Sequence, residues 1–219
     1  MNSIIKLEHV YKNYGNRVIF EDLNIKIEKN SFTAIVGESG QGKSTLLNLL
    51  GLIDRDYCGA YFLFGRDVSN ETENESARIR NREMGFIYQN YNLIEELNAQ
   101  DNIYMPFCYS NKKFDVDQRT YIEELMELLK IECLKKRQVK YLSGGEKQRI
   151  AIARAMALNP SLVLADEPTG NLDSHNTKVI FEFFKGLKKK GKSVIVVTHD
   201  TNRLNEYDNV LEISELRKR

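Results

Sequence analysis

The residues best suited to chemistry in this 219-residue chain fall into three short strings. The first is Gly37-Glu38-Ser39-Gly40-Gln41-Gly42-Lys43-Ser44, followed by Thr45, and it has the form G-x-x-x-x-G-K-[ST]. Glycines let the main chain wrap closely, so that successive N–H groups converge on a phosphate at a helix N-terminus. In such a loop Lys43 reaches the β- and γ-phosphates, and the Ser44 hydroxyl ligates Mg2+. Glu38 and Gln41 occupy variable positions, where the backbone does the binding. Alone, the string implies a bound nucleoside triphosphate and no more.

The second string, Leu162-Val163-Leu164-Ala165-Asp166-Glu167, is an apolar strand ending in two carboxylates. Beside a phosphate loop, Asp166 is placed to hold the metal through its water shell and Glu167 to polarise an attacking water. The third, Leu142-Ser143-Gly144-Gly145-Glu146, sets a hydroxyl and two glycines before a helical run expected over 147–158. That is a second anion-binding helix N-terminus with open donors. One nucleotide has no use for two cradles in a single chain. Ser143, Gly144 and Gly145 are therefore expected to cap the γ-phosphate held by another copy.

These strings need elements to position them. An apolar run at 32–36 precedes the glycine loop and a helical pattern at 44–50 follows it, the order a phosphate loop requires. Alternation predicts antiparallel strands at 4–10 and 18–27. Continuous apolar runs at 162–165 and 194–197 suit central parallel strands covered on both faces. Ile122, Leu125, Met126 and Leu129 form one helical face, and Val179, Ile180, Phe183, Phe184 and Leu187 form another that Gly191 ends.

Together, the phosphate loop, the LSGGE string and the carboxylate pair, in this order, resemble the nucleotide-binding subunit of ABC ATPases, over about residues 4–213. The resemblance implies a P-loop α/β fold: an ABC-type core of mostly parallel sheet plus an antiparallel β subdomain, over about 1–89 and 159–219. A helical subdomain is expected over about 90–158. It also implies further roles. Tyr14 resembles the aromatic residue that stacks on adenine, and Gln89 the glutamine that meets Mg2+ and relays nucleotide state. Asn171-Leu172-Asp173 resembles the loop crossing a dimer interface, and His199 the switch histidine at the γ-phosphate. The cofactors implied are ATP and Mg2+, and the catalytic set is Glu167, His199, Gln89 and Lys43, acting in an ATP-bound homodimer. A groove lined by Tyr88, Asn90, Tyr91 and Leu93 is expected to receive a helix of an integral membrane permease. Any periplasmic or extracellular adaptor would be reached only through that permease.

Composition narrows the alternatives. Lys and Arg total 32 against 31 Asp and Glu, which gives no general field to attract nucleic acid. No apolar stretch approaches the roughly 20 residues needed to span a bilayer. Cys58, Cys108 and Cys133 lack CxxC spacing and read as reduced thiols. The expected location is therefore cytoplasmic, peripheral on the inner face of the membrane. Residues 46–141 show neither the coiled coil nor the cysteine cluster that DNA-directed ABC ATPases insert there. The strings at 85–94 and 166–173 resemble the macrolide-export and lipoprotein-release group, which includes peptide and bacteriocin exporters. A cell-division ATPase of the same group is the alternative. The chain's end soon after 211–213 leaves no regulatory domain expected.

Overall fold

The structure, a computed structural model, describes residues 3–38, 40–110, 114–170 and 172–216. It opens with a hairpin, β1 (Ser3–Tyr14) and β2 (Arg17–Glu28), longer at both strands than alternation suggested. His9 and Asp22 adopt left-handed φ values of 51° and 54°, and the register shifts between Leu7 and Val10. A bulge of this kind breaks the in–out pattern while the strand continues. β3 (Phe32–Val36) then runs into the glycine loop and α1 (Lys43–Leu50). β4 (Cys58–Leu63) and β5 (Arg66–Asp67) complete an antiparallel sheet of order β2-β1-β4-β5.

Next comes α2 (Glu73–Glu83), a helix that hydrophobic periodicity does not announce, since Ser76 is its one buried residue. It is set by polar signals. The Thr72 hydroxyl accepts from Glu75 N–H at 3.2 Å, and Glu73 pairs with Arg80 and with Arg55. The remaining elements are β6 (Met84–Ile87), α3 (Ala99–Tyr104), α4 (Val116–Leu128), α5 (Gly144–Met156), β7 (Leu162–Asp166), α6 (Ser174–Lys189), β8 (Ser193–Thr198), β9 (Asn209–Glu212) and α7 (Ile213–Leu216). α5 begins earlier than the run expected over 147–158. Ser143 is its N-cap, and both glycines of the LSGGE string, Gly144 and Gly145, lie in its first turn.

β6, β7, β8, β3 and β9, in that order, form a five-stranded parallel sheet. Its side chains alternate between two cores. Leu162, Leu164, Ile195 and Val197 join α1 and the antiparallel sheet on one face. Val163, Ala165, Val194 and Val196 join α4, α5 and α6 on the other. Each of these buried Val, Leu and Ile side chains contributes about 1.5–3 kcal/mol relative to exposure. The face of α4 is Ile122, Leu125 and Met126, as its spacing predicts. On α6 the buried set also includes Phe181, edge-on to Phe32 at 5.9 Å, while Val179 is only half-buried. Gly85 lets β6 lie directly on α5, because a Cβ there would sit 2.5 Å from the Ala155 carbonyl oxygen.

This order has one consequence for function. The segments after β3, β8, β7 and β6 leave four adjacent strands at the same carboxyl edge, where open α/β sheets bind ligands. Those segments carry the phosphate loop, His199, Glu167 and Gln89, respectively.

Candidate functional site

The phosphate loop is built to leave a helix end open. Gly42 is the N-cap of α1 with φ 95°, a conformation costly for residues with a Cβ, and no side chain caps the helix. The first N–H groups of α1 therefore await an outside acceptor. Two side chains bond to the main chain of the loop. Lys43 Nζ donates to the Gly37 carbonyl at 2.7 Å and to the Glu38 carbonyl at 2.8 Å. Gln41 Oε1 accepts from Glu38 N–H at 3.0 Å, a local use the variable position did not suggest. Ser39 lies outside the described residues.

Across from the loop, Asp166 ends β7 and Glu167 follows in a left-handed conformation, φ 45°. Sparsely populated backbone of this sort at the end of a buried strand persists only where its surroundings enforce it. Here, Glu167 N–H donates to the Val197 carbonyl at 2.9 Å. Three donors fix the Glu167 carboxylate: Thr198 Oγ1 at 2.9 Å, His199 N–H at 2.8 Å and His199 Nδ1 at 2.6 Å. A carboxylate only accepts, so Nδ1 carries the proton of this bond. Burial first, and then the charge of Glu167, raise the Asp166 carboxyl above its ordinary 3.8; the Ser44 hydrogen bond and Lys43 charge oppose this without prevailing. Adjacent carboxylates at the edge of a dry strand form a site short of positive charge.

These groups line one cleft of about 450 Å³, together with Tyr14, Arg17, Gly40, Gly42, Thr45 and Gln89. Tyr14 stands half-exposed at the tip of the β1–β2 hairpin. Arg17 was missed from the sequence, where a single cation after a hairpin turn carries no motif; its Nη2 lies 3.4 Å from the Gly40 carbonyl. Thr198 was missed too, since its buried hydroxyl serves Glu167 from another strand.

The remaining expected site residues lie elsewhere. Ser143 caps α5 through a closed box: its hydroxyl accepts from Glu146 N–H at 3.3 Å. In return its own N–H and Oγ–H both donate to Glu146 Oε2 at 2.8 Å. Gly144 and Gly145 follow, the first beside the Tyr91 hydroxyl and the second beside Asn176. Asp173 caps α6, accepting from Asn176 N–H at 2.8 Å and Nδ2 at 2.7 Å, and Asn176 in turn accepts from Arg149 of α5. Asn171 lies outside the described residues. Ser143, Gly144, Gly145 and Asp173 thus stand outside the cleft of their own chain, tied to one another through Asn176 and Arg149.

The groove expected beside Gln89 exists, with a different lining. Tyr88 and Asn92 line it with Met84, Phe86, Met105, Pro106, Tyr109 and Arg154, enclosing about 480 Å³. Asn90, Tyr91 and Leu93 do not line it. Tyr91 and Asn92 both take left-handed φ values, 61° and 49°, which turns the Tyr91 ring toward α5 and Leu93 onto the core. Arg154 of α5 holds that turn, donating to the Tyr91 carbonyl at 2.7 Å and to the Asn92 carbonyl. Among the described residues, no helix is long and apolar enough to cross a membrane.

Comparison with known proteins gives a consistent picture. The profile of the family described as "ABC transporter" matches residues 20–170. The lipoprotein-releasing system ATP-binding protein LolD of Aquifex aeolicus is 39% identical over 216 residues, covering 98% of this chain and 96% of that protein. The macrolide export ATP-binding/permease protein MacB of Mannheimia succiniciproducens is 36% identical over 217 residues, 97% of this chain. The chain spans only about a third (34%) of that protein's length. Among solved structures, the dimeric post-hydrolysis state of the ATP-binding cassette MJ0796 with ADP and Pi superposes with a TM-score of 0.86 at 33% identity. That match covers 95% of this chain and 93% of the other. The chain belongs to the ABC transporter family, as one of its ATP-binding domains.

Proposed function

We propose that the cleft binds ATP with Mg2+, and that two copies of the chain hydrolyse it to ADP and phosphate to drive a membrane subunit. The observation that carries this reading is a separation. Lys43, Ser44, Asp166, Glu167 and His199 meet at one sheet edge, while Ser143, Gly144 and Gly145 of the same chain face elsewhere. Each cleft is then completed by the other copy's signature turn, with Asp173 crossing between them. The dimeric cassette structures to which the chain is similar support this arrangement.

In this reading Tyr14 lies under the adenine, and the backbone of residues 37–45 wraps the phosphates. Lys43 exchanges its two loop carbonyls for phosphate oxygens. Ser44, Asp166 and Gln89 offer the hard oxygen donors that suit a small divalent cation. The short supply of positive charge around Asp166 is what such an ion would correct. Bound there, Mg2+ would neutralise charge on the phosphates as ADP departs. Glu167 accepts a proton from the attacking water, whose oxygen bonds to the γ-phosphorus as the bond to the β–γ bridging oxygen breaks. His199 holds the Glu167 carboxylate in place and stands beside the γ-phosphate position.

The groove beside Tyr88 is proposed to receive a permease helix, placing the chain peripherally on the inner membrane face. LolD, matched over nearly its whole length, supports a separate ATP-binding subunit. A peptide or bacteriocin cargo rests on the resemblance of residues 85–94 and 166–173 alone. The decisive test is Glu167→Gln with size-exclusion chromatography and phosphate release. Expected are an ATP-dependent dimer and turnover reduced at least about 100-fold; a wild-type rate refutes the role of Glu167 as base.

A further inference from the structure

Tyr14 is held by a network reaching 40 residues along the chain. Its hydroxyl donates to Asp54 Oδ2 at 2.6 Å. The other oxygen of that carboxylate, Oδ1, accepts from Lys12 Nζ at 2.8 Å. Lys12 is the charged residue at an inward position of β1, only 2% exposed, and its ammonium sits 4.5 Å from the Tyr14 ring centroid. It also donates to the Asp56 carbonyl at 2.5 Å and lies 3.4 Å from the Asp56 carboxylate, so its three N–H groups are engaged. Burial alone would lower the Lys12 pKa; the bonds and charges of Asp54 and Asp56 outweigh it and raise it. A buried ammonium is stable only with this degree of pairing.

Asp54 is fixed in turn. Its N–H donates to the Asn48 carbonyl of α1 at 3.1 Å, and its Oδ1 accepts from Asp56 N–H at 3.1 Å. α1 is the helix whose N-terminus forms the phosphate loop. The network therefore joins a hairpin tip that carries the ring to the element that carries the phosphates.

We propose that Lys12 and Asp54 are positioning residues for the nucleotide base: they lock the Tyr14 ring with one face on the Lys12 ammonium and leave the other face to stack on a purine. This rests on the reading of the cleft as an ATP site. A half-exposed tyrosine at a hairpin tip would otherwise sample several rotamers, and binding would bear the entropy of ordering it. The cation beneath the ring adds an attraction typical of cation–π pairs and holds the plane still.

The test compares wild type with Tyr14→Phe, Asp54→Asn and the double variant, using 1,N6-etheno-ATP fluorescence for base stacking and inorganic tripolyphosphate for the phosphate loop alone. Tyr14→Phe keeps the ring and removes the hydroxyl, with its bond to Asp54 and its contact with the Thr45 side chain. Each single variant should weaken etheno-ATP binding by about 3–10-fold, reduce its quenching, and leave tripolyphosphate affinity within about twofold. Asp54→Asn should raise KM for ATP with kcat unchanged, a split that general loosening of the fold would not give. The double variant should be no weaker than the worse single one, because each substitution breaks the chain of bonds that joins Tyr14 to Lys12 through Asp54. Wild-type etheno-ATP affinity in Tyr14→Phe, additive losses in the double variant, or equal loss of tripolyphosphate would each overturn the proposal. Failure of wild type to bind either probe would overturn the ATP reading itself, and this inference with it.

Discussion

Two helices of this chain begin at glycine-rich turns, and their first turns are finished in opposite ways. α1 starts at Gly42 with no side-chain cap, so its N-terminal donors are free to meet a ligand. α5 starts at Ser143, whose backbone and hydroxyl are already joined to Glu146 in a closed box. Both look like anion sites in sequence, since each pairs glycines with a hydroxyl before a helix. Only the first lacks a side-chain cap. The second is complete without a ligand and carries a carboxylate that would repel a lone phosphate. In the proposed dimer its role is to meet a phosphate already held on a partner, with Gly144 and Gly145 N–H groups and a shared hydroxyl to offer.

The largest expected effect tests this contrast directly. Lys43→Ala should weaken ATP binding to the single chain by about 100-fold or more, measured by calorimetry, because a phosphate charge loses its main counter-charge. Ser143→Ala should leave that binding within about twofold and suppress ATP-dependent dimerisation and turnover. If Ser143→Ala weakens binding to the monomer, the two turns are not distinct in the way described. A smaller effect belongs to the box. Glu146→Ala should cost about 1 kcal/mol, or about 2–4 °C in Tm, as for other lost caps. The backbone bond from Ser143, ahead of opposing burial, holds the Glu146 carboxyl below its ordinary 4.5, helped by the Ser143 hydroxyl and the charges of Arg137 and Arg149. A depressed carboxyl stabilises above its unfolded value and loses that contribution as pH falls through the folded one. The difference between wild type and Glu146→Ala should therefore vanish on acidification below about 4.5; a pH-independent difference would point to packing instead.

Asp166 has the opposite sign. Its raised carboxyl penalises the nucleotide-free fold above the ordinary 3.8, and the penalty is relieved as pH falls through the raised value. Asp166→Asn should raise Tm by about 1–3 °C at neutral pH without nucleotide, converge on wild type in acid, and lose the added stability that MgATP gives. The smallest effect is at Gln41, whose amide occupies Glu38 N–H. Gln41→Ala should tighten ATP binding by about twofold, since the loop no longer gives up a bond of its own; weaker binding would show that Gln41 serves the nucleotide.

What the sequence made legible follows a physical division. The phosphate loop, the carboxylate pair and three strands of the parallel sheet, β3, β7 and β8, were readable because each is specified within a few residues; β6 and β9, four residues each, were not. α2 was not, because a helix polar on all sides leaves no apolar stripe and rests on the Thr72 cap and ion pairs. The start of α5 was read three residues late, because two glycines suggest a loop until Ser143 is seen to cap them. β1 was cut short at Val10, just past the bulge at His9 that breaks alternation, while β2 was read to within one residue at each end. Lys12 with Asp54 and Arg154 with Tyr91 are separated by 42 and 63 residues, and no local pattern ties one to the other. A lysine on the inward phase of a strand was nonetheless a visible signal, since such a charge needs a buried partner.

Arg154 shows how far that last kind of link reaches. It grips the turn at Tyr91 and Asn92 through carbonyl oxygens, which every amino acid possesses. A side chain that lines the groove, such as Tyr88, can therefore be exchanged without removing either gripped oxygen. On the docking proposed above, a lineage could refit the groove to a new membrane subunit through such side chains while the bonds from Arg154 to the loop carbonyls stay in place. Side chains would then carry the fit to a partner and the main chain the attachment to α5, two parts of one loop open to change independently.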